Sequence, residues 1–275
     1  MKIFITGGAG TCGSVLTGLE CEKIFYDKKE NPVDLKGEYY VQGNINDHSK
    51  LEKNMKGCDV LIHLAAADYY PEFNMGPKFK WEDYQKNNIE YLKILFDTAL
   101  NSGVNKIIYA STHRVMGMYE KENAPRIYEK GQKILIDHLE QPRPDSIYAV
   151  TKLFGENLGR MLVDESKCSF LVIRICSVRS KNEDHPFAYA EKGVKQNLWP
   201  RNGIKYMEQL NRLRGLWQSR RDFLNMTSLL LNQELMGFDI FYGVSDNNRR
   251  WFDIENAMKK IGYKSKDNSE TFTEP

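Results

Sequence analysis

Short apolar runs alternate with stretches of helical periodicity over the first two thirds of the chain. Apolar positions between Ile89 and Leu100 recur at near-helical spacing and predict a helix over Tyr84–Leu100. Because the strand-like runs are apolar throughout, as in Val60-Leu61-Ile62, helices are expected to cover both faces of a parallel sheet. The alternation predicts an α/β protein with a doubly wound parallel sheet, a Rossmann fold. The predicted strands are Lys2–Thr6, Lys23–Asp27, Tyr39–Gln42, Asp59–Ala65, Lys106–Ser111 and Phe170–Ile175.

The pattern changes after about residue 177. Polar and aromatic sequence with scattered prolines and glycines predicts an excursion from the core over 178–212. Beyond it we predict a helix at Phe223–Leu235, a strand at Phe238–Val244, a helix at Trp251–Ile261 and a loose tail after Lys264. The chain is therefore divided into a cofactor-binding Rossmann domain at 1–177 and a smaller substrate-binding portion at 178–275, of which about 221–245 rejoins the Rossmann sheet.

Composition excludes several classes of protein. Of 275 residues, 41% are hydrophobic and 28% charged, which excludes a disordered or low-complexity chain. The formal charge of +2, without a block of basic residues, makes nucleic acid an improbable partner. No apolar run approaches the roughly 18 residues of a spanning helix, and the first strand follows Met1 too closely for a signal peptide. We expect a cytoplasmic protein without a membrane partner. The five scattered cysteines predict reduced thiols and no metal site.

A glycine-rich sequence, Thr6-Gly7-Gly8-Ala9-Gly10-Thr11-Cys12-Gly13, follows the first predicted strand. Glycines there allow a tight turn and a close approach to a pyrophosphate, and a following helix directs its N–H groups at the anion. The next strand ends at Asp27, whose carboxylate can accept hydrogen bonds from adenosine ribose hydroxyls and would repel a 2′-phosphate. This context predicts an NAD site and makes a ligand-free turn the weaker interpretation, although Lys28 and Lys29 soften the repulsion of NADP.

A tyrosine and a lysine are spaced to share one face of a helix. Tyr148 and Lys152 are four residues apart. A tyrosine with its ordinary pKa of about 10 is a poor base at neutral pH, and a cation held nearby lowers that pKa. The spacing arises easily by chance, but Ser111 and Thr112 place hydroxyls where another strand ends, at the edge where open α/β sheets bind ligands. Together these features predict a dehydrogenase in which Tyr148 takes a hydroxyl proton.

These residues resemble the extended short-chain dehydrogenase/reductase superfamily, the NAD-dependent epimerases and dehydratases. The resemblance rests on the glycine-rich sequence, Asp27, the Ser-Thr-x-x-Val-x-Gly sequence at Ser111–Gly117 and the Tyr-x-x-x-Lys pair. It implies that Thr112 completes a catalytic triad with Tyr148 and Lys152, that Asn44 and Ile45 contact adenine, and that Asn88 supports a proton relay. The residues expected to bind NAD are Gly7, Gly10, Thr11, Cys12, Gly13, Asp27, Asn44, Ile45, Leu64, Ala65, Ala66, Asn88, Tyr148 and Lys152.

Within this superfamily the chain looks most like uronate dehydrogenases and related sugar dehydrogenases, which oxidise the anomeric carbon of a cyclic sugar acid to a lactone with NAD. The likeness is carried by Arg143–Tyr148, Arg174–Ser177 and Arg212, five residues before Trp217. It implies that Arg212 binds a substrate carboxylate and that Ser177 hydrogen-bonds the sugar. The chain departs from the pattern at Asp68, at Thr112-His113-Arg114 and in two longer segments, 121–141 and 179–210. The residues expected to bind substrate are Asp68, Thr112, His113, Arg114, Ser177 and Arg212.

The distribution of charge bears on the substrate. Residues 179–221 hold ten Lys or Arg against four Asp or Glu, a net charge of +6, which suits a carboxylate or a phosphate. Arg114 indicates either a phosphorylated sugar or a structural ion pair. We predict NAD-dependent oxidation of the anomeric hydroxyl of an anionic sugar, a uronate or a sugar phosphate, by a homo-oligomer, a dimer or larger. The alternatives are a nucleotide-sugar epimerase or dehydratase that keeps NAD bound, and a non-catalytic dinucleotide-binding sensor.

Overall fold

Seven parallel strands form one sheet in the computed structural model, which describes residues 1–30, 32–67, 79–166, 168–234 and 237–273. The strands are β1 (Lys2–Thr6), β2 (Glu22–Asp27), β3 (Tyr39–Gln42), β4 (Val60–His63), β5 (Lys106–Thr112), β6 (Ser169–Ile175) and β7 (Gly237–Gly243). Their order across the sheet is β3-β2-β1-β4-β5-β6-β7. Successive strands are added on opposite sides of β1, so the predicted doubly wound Rossmann fold is confirmed. Ligands of such sheets bind where the direction reverses, between β1 and β4.

Helices cover both faces of the sheet because successive strand residues project to opposite sides. The α-helices of the described residues are α1 (His48–Met55), α2 (Trp81–Gln85), α3 (Tyr91–Asn101), α4 (Gly117–Asn123), α5 (Ile147–Ser166), α6 (Ala188–Lys195), α7 (Ile204–Leu216), α8 (Arg220–Asn232) and α9 (Glu255–Ile261). Ile3 and Ile5 join the apolar core on the face covered by α8 and α9, whereas Phe4 and Leu61 join the core beneath α1, α3 and α5.

The helix that was predicted to follow the glycine-rich sequence is a short 3₁₀-helix. Only residues 7–21 connect β1 to β2, and they form a 3₁₀-helix at Gly13–Gly18 in place of an α-helix. A π-helix at Lys86–Glu90 joins α2 to α3, so the helix predicted over Tyr84–Leu100 contains a widened turn. Such turns are frequent at functional sites.

The carboxyl-terminal part of the chain contributes one strand to the sheet and further helices outside it. Residues 178–219 contain α6 and α7, after which α8 packs on the core and β7 pairs with β6. The prediction of a loose tail after Lys264 is wrong for residues 265–273. Asp222, fully buried, accepts hydrogen bonds from Ser265 Oγ and the Lys266 N–H, each at 2.6 Å. No helix in the parts of the chain described here is long and apolar enough to cross a membrane.

Candidate active site

A cavity of about 890 Å³ lies at the carboxyl ends of the strands and collects the predicted site residues from separate loops. Asp68 lies outside the described residues, and Asn88 does not line the cavity. No group of three His, Cys, Asp or Glu able to hold a metal ion occurs in the described chain. The predicted residues that line the cavity are Gly7, Gly10, Thr11, Cys12, Gly13, Asp27, Asn44, Ile45, Leu64, Ala65, Ala66, Thr112, His113, Arg114, Tyr148, Lys152, Ser177 and Arg212.

The glycine-rich loop has the shape that a diphosphate requires. Gly7 adopts φ +73°, and a Cβ there would lie 2.6 Å from the backbone nitrogen of Ala65, in the loop after β4. A Cβ at Gly13 would overlap the carbonyls of Gly7 and Gly8. The turn is closed by the Gly10 N–H, which donates to the Gly7 carbonyl at 3.0 Å. These positions therefore require glycine for the tight folding of the loop itself, and such a turn brings backbone N–H groups close to the phosphates of a dinucleotide.

Asp27 ends β2 and is held by the loops on either side. Its carboxylate accepts hydrogen bonds from the Ala9 N–H at 3.0 Å and from the Lys29 N–H at 3.1 Å. Both bonds fix the carboxylate at the cavity wall, and its remaining lone pairs can accept bonds from ribose hydroxyls. Lys28 and Lys29 line the same part of the cavity, so cations lie beside the acid as the sequence suggested.

The end of β5 distinguishes two neighbouring hydroxyl groups. Ser111 donates to Glu156, whose carboxylate also accepts bonds from the buried Arg174 guanidinium at 2.8 and 3.1 Å. Thr112 instead accepts a bond from the Arg114 N–H at 3.2 Å, which leaves its hydroxyl hydrogen free to donate into the cavity. Ser111 is therefore engaged in the core, and Thr112 is the better placed of the two to orient a substrate hydroxyl.

Tyr148 and Lys152 lie on α5, where both line the cavity. The Lys152 side chain is 2% exposed, and its Nζ lies 4.4 Å from the centre of the Tyr109 ring, within cation–π distance. The Tyr109 hydroxyl donates to the Lys152 carbonyl at 3.3 Å. His63 also stacks with that ring at 5.9 Å, and its own burial, followed by the charge of Lys152, lowers the pKa of His63 well below its ordinary value. A neutral imidazole and an aromatic face thus support the lysine.

Asn88 forms hydrogen bonds with two segments next to the cavity without lining it. Its Oδ1 accepts a bond from the Ala67 N–H at 2.8 Å, while its Nδ2 donates to the Ala67 carbonyl and to Thr151 Oγ1, each at 3.0 Å. The side chain is 3% exposed. Asn88 therefore joins the loop after β4 to α5, and its contact with the cofactor stays a prediction.

The arginine predicted to bind the substrate already has a carboxylate partner. Arg212 Nε and Nη2 donate to Glu120 at 2.5 and 3.2 Å, and Tyr128 donates to the same carboxylate at 2.9 Å. Burial would raise the pKa of Glu120, but the Arg212 guanidinium lowers it to about 2. Of the three guanidinium nitrogens of Arg212, Nη1 alone forms no hydrogen bond with the described residues. Arg114 likewise pairs with the buried carboxylate of Asp145 at 2.7 Å, which is the ion-pair alternative left open by the sequence.

His113 brings a hydrogen-bond acceptor to the cavity. Its burial lowers the pKa to about 4, so the imidazole is neutral at physiological pH. Nδ1 lies 3.2 Å from the carbonyl of Ile175, which can only accept, so Nδ1 carries the hydrogen. Nε2 is then an acceptor, and it is buried without a partner in the part of the chain described. A sugar hydroxyl is the kind of group that would satisfy it.

Among the cavity residues that the sequence analysis missed are two polar side chains from the segment 179–210. Tyr189, on α6, places its hydroxyl 3.1 Å from Ser177 Oγ, and the centre of its ring is 4.8 Å from the Arg179 guanidinium and 5.9 Å from that of Arg212. Gln209, on α7, also lines the cavity. Both belong to the segment 179–210, whose polar composition showed an excursion but not which side chains point inward.

The family model for the NAD dependent epimerase/dehydratase family matches residues 3–224. The chain belongs to this family. The predicted family, and NAD as its cofactor, are thereby confirmed. The glycine cradle and Asp27 are the observations of this structure that fit that cofactor.

Individual proteins that are similar to this chain support the same family. The chain is 28% identical over 282 residues to an NAD-dependent glucose-6-phosphate dehydrogenase of Haloferax volcanii, covering 98% of this chain and 95% of the relative. It is 26% identical to an L-arabinose 1-dehydrogenase (NAD(P)(+)) of the same organism, covering 99% of both chains. The crystal structure of a uronate dehydrogenase from Agrobacterium tumefaciens superposes with a TM-score of 0.73 at 23% identity, covering 100% of this chain and 90% of that one, which shows the fold. These relatives are named as sugar dehydrogenases, and the predicted enzyme class, an NAD-dependent sugar dehydrogenase, is confirmed.

Proposed function

We propose that this protein is an NAD-dependent dehydrogenase that oxidises the anomeric hydroxyl of an anionic sugar, a uronate or a sugar phosphate, to a lactone. One observation carries the proposal: Thr112, Tyr148 and Lys152 border the same cavity as the glycine-rich loop. The guanidinium of Arg212 borders that cavity as well. The relatives named as sugar dehydrogenases support the same class of reaction.

The mechanism follows from the positions of three side chains. Thr112 donates its free hydroxyl hydrogen to the substrate oxygen and orients the anomeric hydroxyl toward Tyr148. Tyr148 removes the hydroxyl proton, and the buried ammonium of Lys152 favours the ionised phenol that this step needs. When bound, NAD supplies the two-electron oxidant that accepts a hydride from the anomeric carbon. Asn88 keeps Tyr148 and Lys152 in register with the loop after β4 through its bonds to Thr151 and Ala67.

Substrate recognition is assigned to the side chains around Arg212. Glu120 fixes the guanidinium by two bonds, which leaves Nη1 as one oriented donor for a carboxylate or phosphate oxygen. His113 Nε2 accepts a bond from a sugar hydroxyl, and Ser177, hydrogen-bonded to Tyr189, donates or accepts another. A phosphate, being larger and more highly charged, would also engage Arg114.

Oxidation of a neutral aldose is the second candidate, because the arginines of the substrate side are compensated. Glu120 neutralises Arg212, Asp145 neutralises Arg114, and Glu183 pairs with Arg179 at 2.8 Å. The excess of positive charge counted along 179–221 is therefore largely absent from the cavity wall. A site with balanced charges recognises hydroxyl groups by hydrogen bonds and needs no anion on the sugar.

The experiment is a panel of substrates measured as NADH formation, with glucuronate, galacturonate, glucose 6-phosphate, glucose and L-arabinose. The control is Tyr148→Phe, which is expected to lower kcat by about 10²–10⁴-fold and to leave NADH affinity nearly unchanged. Turnover of uronates assigns Arg212 to the carboxylate, whereas turnover of glucose 6-phosphate alone directs attention to Arg114. Equal turnover of charged and neutral sugars supports the second candidate.

Two outcomes would refute the dehydrogenase. Undiminished turnover by the Tyr148→Phe protein would refute the mechanism. Inactivity across the panel, with NAD that copurifies and survives gel filtration, would favour the epimerase or dehydratase alternative, and nucleotide sugars would then be tested.

A further inference from the structure

The helix that follows the glycine-rich loop is too short to give a bound anion its usual support. It is a 3₁₀-helix of six residues, Gly13–Gly18. At about 2.0 Å per residue it spans roughly 12 Å, so its negative end lies close behind its positive end and partly cancels the favourable potential. The loop supplies backbone N–H groups, but a diphosphate bound there would need positive charge from elsewhere.

Arg220, the first residue of α8, brings a guanidinium to this loop. Its Nη1 donates to the Thr11 carbonyl at 3.3 Å, and its Nη2 donates to Ser14 Oγ at 3.1 Å. Nη1 also lies 3.4 Å from the carbonyl of Arg179, on the segment that follows β6. Thr11 lines the cavity and Arg220 itself does not, so the guanidinium is fixed beside the glycine-rich loop by three oxygens, two from this loop and its helix and one from the segment after β6.

The charge of Arg220 is not compensated in the way that its neighbours' charges are. Arg114, Arg179 and Arg212 each form an ion pair with a carboxylate. Every acceptor of the Arg220 guanidinium among the described residues is a neutral oxygen. Asp184 is near enough for the Arg220 charge to oppose the rise that burial causes in the pKa of Asp184, but its carboxylate is bonded to the Arg220 backbone N–H and not to the guanidinium. A half-buried cation with no directly bonded anion is stabilised further by an arriving anion.

We propose that Arg220 is a further cofactor-binding residue, whose charge stabilises the diphosphate of NAD at the glycine-rich loop. The guanidinium compensates for the short helix, and its bonds to Thr11 and Ser14 hold it in place before the cofactor arrives, which limits the entropy lost on binding. Because Arg220 also contacts the Arg179 carbonyl, the same side chain ties the loop to the substrate-binding part of the chain.

The test is the affinity of the full chain for NADH, followed by NADH fluorescence, in Arg220→Met and Arg220→Lys. Losing a charge-assisted contact is expected to raise the Kd by about 10-fold or more in Arg220→Met, and by less in Arg220→Lys, which keeps the charge. The matched control is Arg221→Met. This neighbouring guanidinium is exposed and pairs with Asp267, so its loss is expected to leave the Kd within about twofold.

Displacement of NADH by ADP and by adenosine separates charge from loop shape. If Arg220 acts on the phosphates, Arg220→Met weakens ADP and leaves adenosine, which has no phosphate, unchanged. An unchanged Kd for NADH, or an equal loss of affinity for ADP and adenosine, would overturn the proposal. Since no sugar is present in these titrations, their failure would leave the proposed oxidation of sugars untouched.

Discussion

The ion pair of Glu120 and Arg212 provides a quantitative prediction for the substrate side. Glu120 is 6% exposed and accepts hydrogen bonds from Arg212 and from Tyr128. Glu120→Gln keeps the volume of the side chain but removes its charge. The Arg212 guanidinium is then left in a largely buried position without a counter-ion, which is the costly way to break a buried pair.

The expected magnitude follows from the carboxyl pKa. Burial raises the pKa of Glu120, but Arg212, with smaller contributions from His113 and Tyr128, lowers it further than burial raises it, so that the value falls from an ordinary 4.5 to about 2. One pKa unit corresponds to about 1.4 kcal/mol, and the depression therefore to roughly 3 kcal/mol of folding free energy. Because the pKa is lower in the folded protein, this stabilisation is fully present above pH 4.5 and is lost as the pH falls toward 2.

Urea unfolding of wild type and Glu120→Gln at pH 7 and at about pH 3 tests this reasoning. We expect a difference in unfolding free energy of about 3 kcal/mol at pH 7 and a smaller one at the lower pH. Glu122→Gln is the matched control, since Glu122 lies on the same helix but forms its ion pair with Arg143 at the surface. The explanation fails if Glu120→Gln and Glu122→Gln lose the same stability at pH 7. It also fails if adding Arg212→Met to the Glu120→Gln protein does not restore part of the lost stability.

Two further predictions concern α5. Tyr109→Leu removes the aromatic ring that contacts the Lys152 ammonium, so kcat should fall about 10-fold. Tyr109→Phe keeps the ring and should preserve kcat, and equal kcat values for the two variants would contradict this. Ile147, Phe154 and Met161 form an exposed apolar stripe along α5, which is where the predicted homo-oligomer would pack. Sedimentation should therefore show a smaller species for Phe154→Glu, and a monomeric wild type would refute the prediction.

Much of the architecture was determined by the sequence itself. Strand segments such as Val60-Leu61-Ile62 are recognised because a doubly covered strand must be apolar at every position, a requirement that can be read locally. The glycine-rich loop and the Tyr148–Lys152 spacing are also local, since each depends on backbone geometry within a few residues. The sequence was therefore enough to predict where the strands lie along the chain, which cofactor is bound and which residue is the candidate base.

Only the tertiary structure decided which of these groups act alone and which have partners. Glu120 meets Arg212 across 92 residues of sequence, and this contact converts a predicted free cation into half of an ion pair. Asp222 captures the tail after Lys264, which carries no strong pattern of its own, because the four hydrogen bonds that satisfy its buried carboxylate come from Ser245 and from the tail. Arg220 likewise reaches the loop from α8. Such pairings depend on desolvation and on the meeting of distant segments, and neither is encoded in local periodicity.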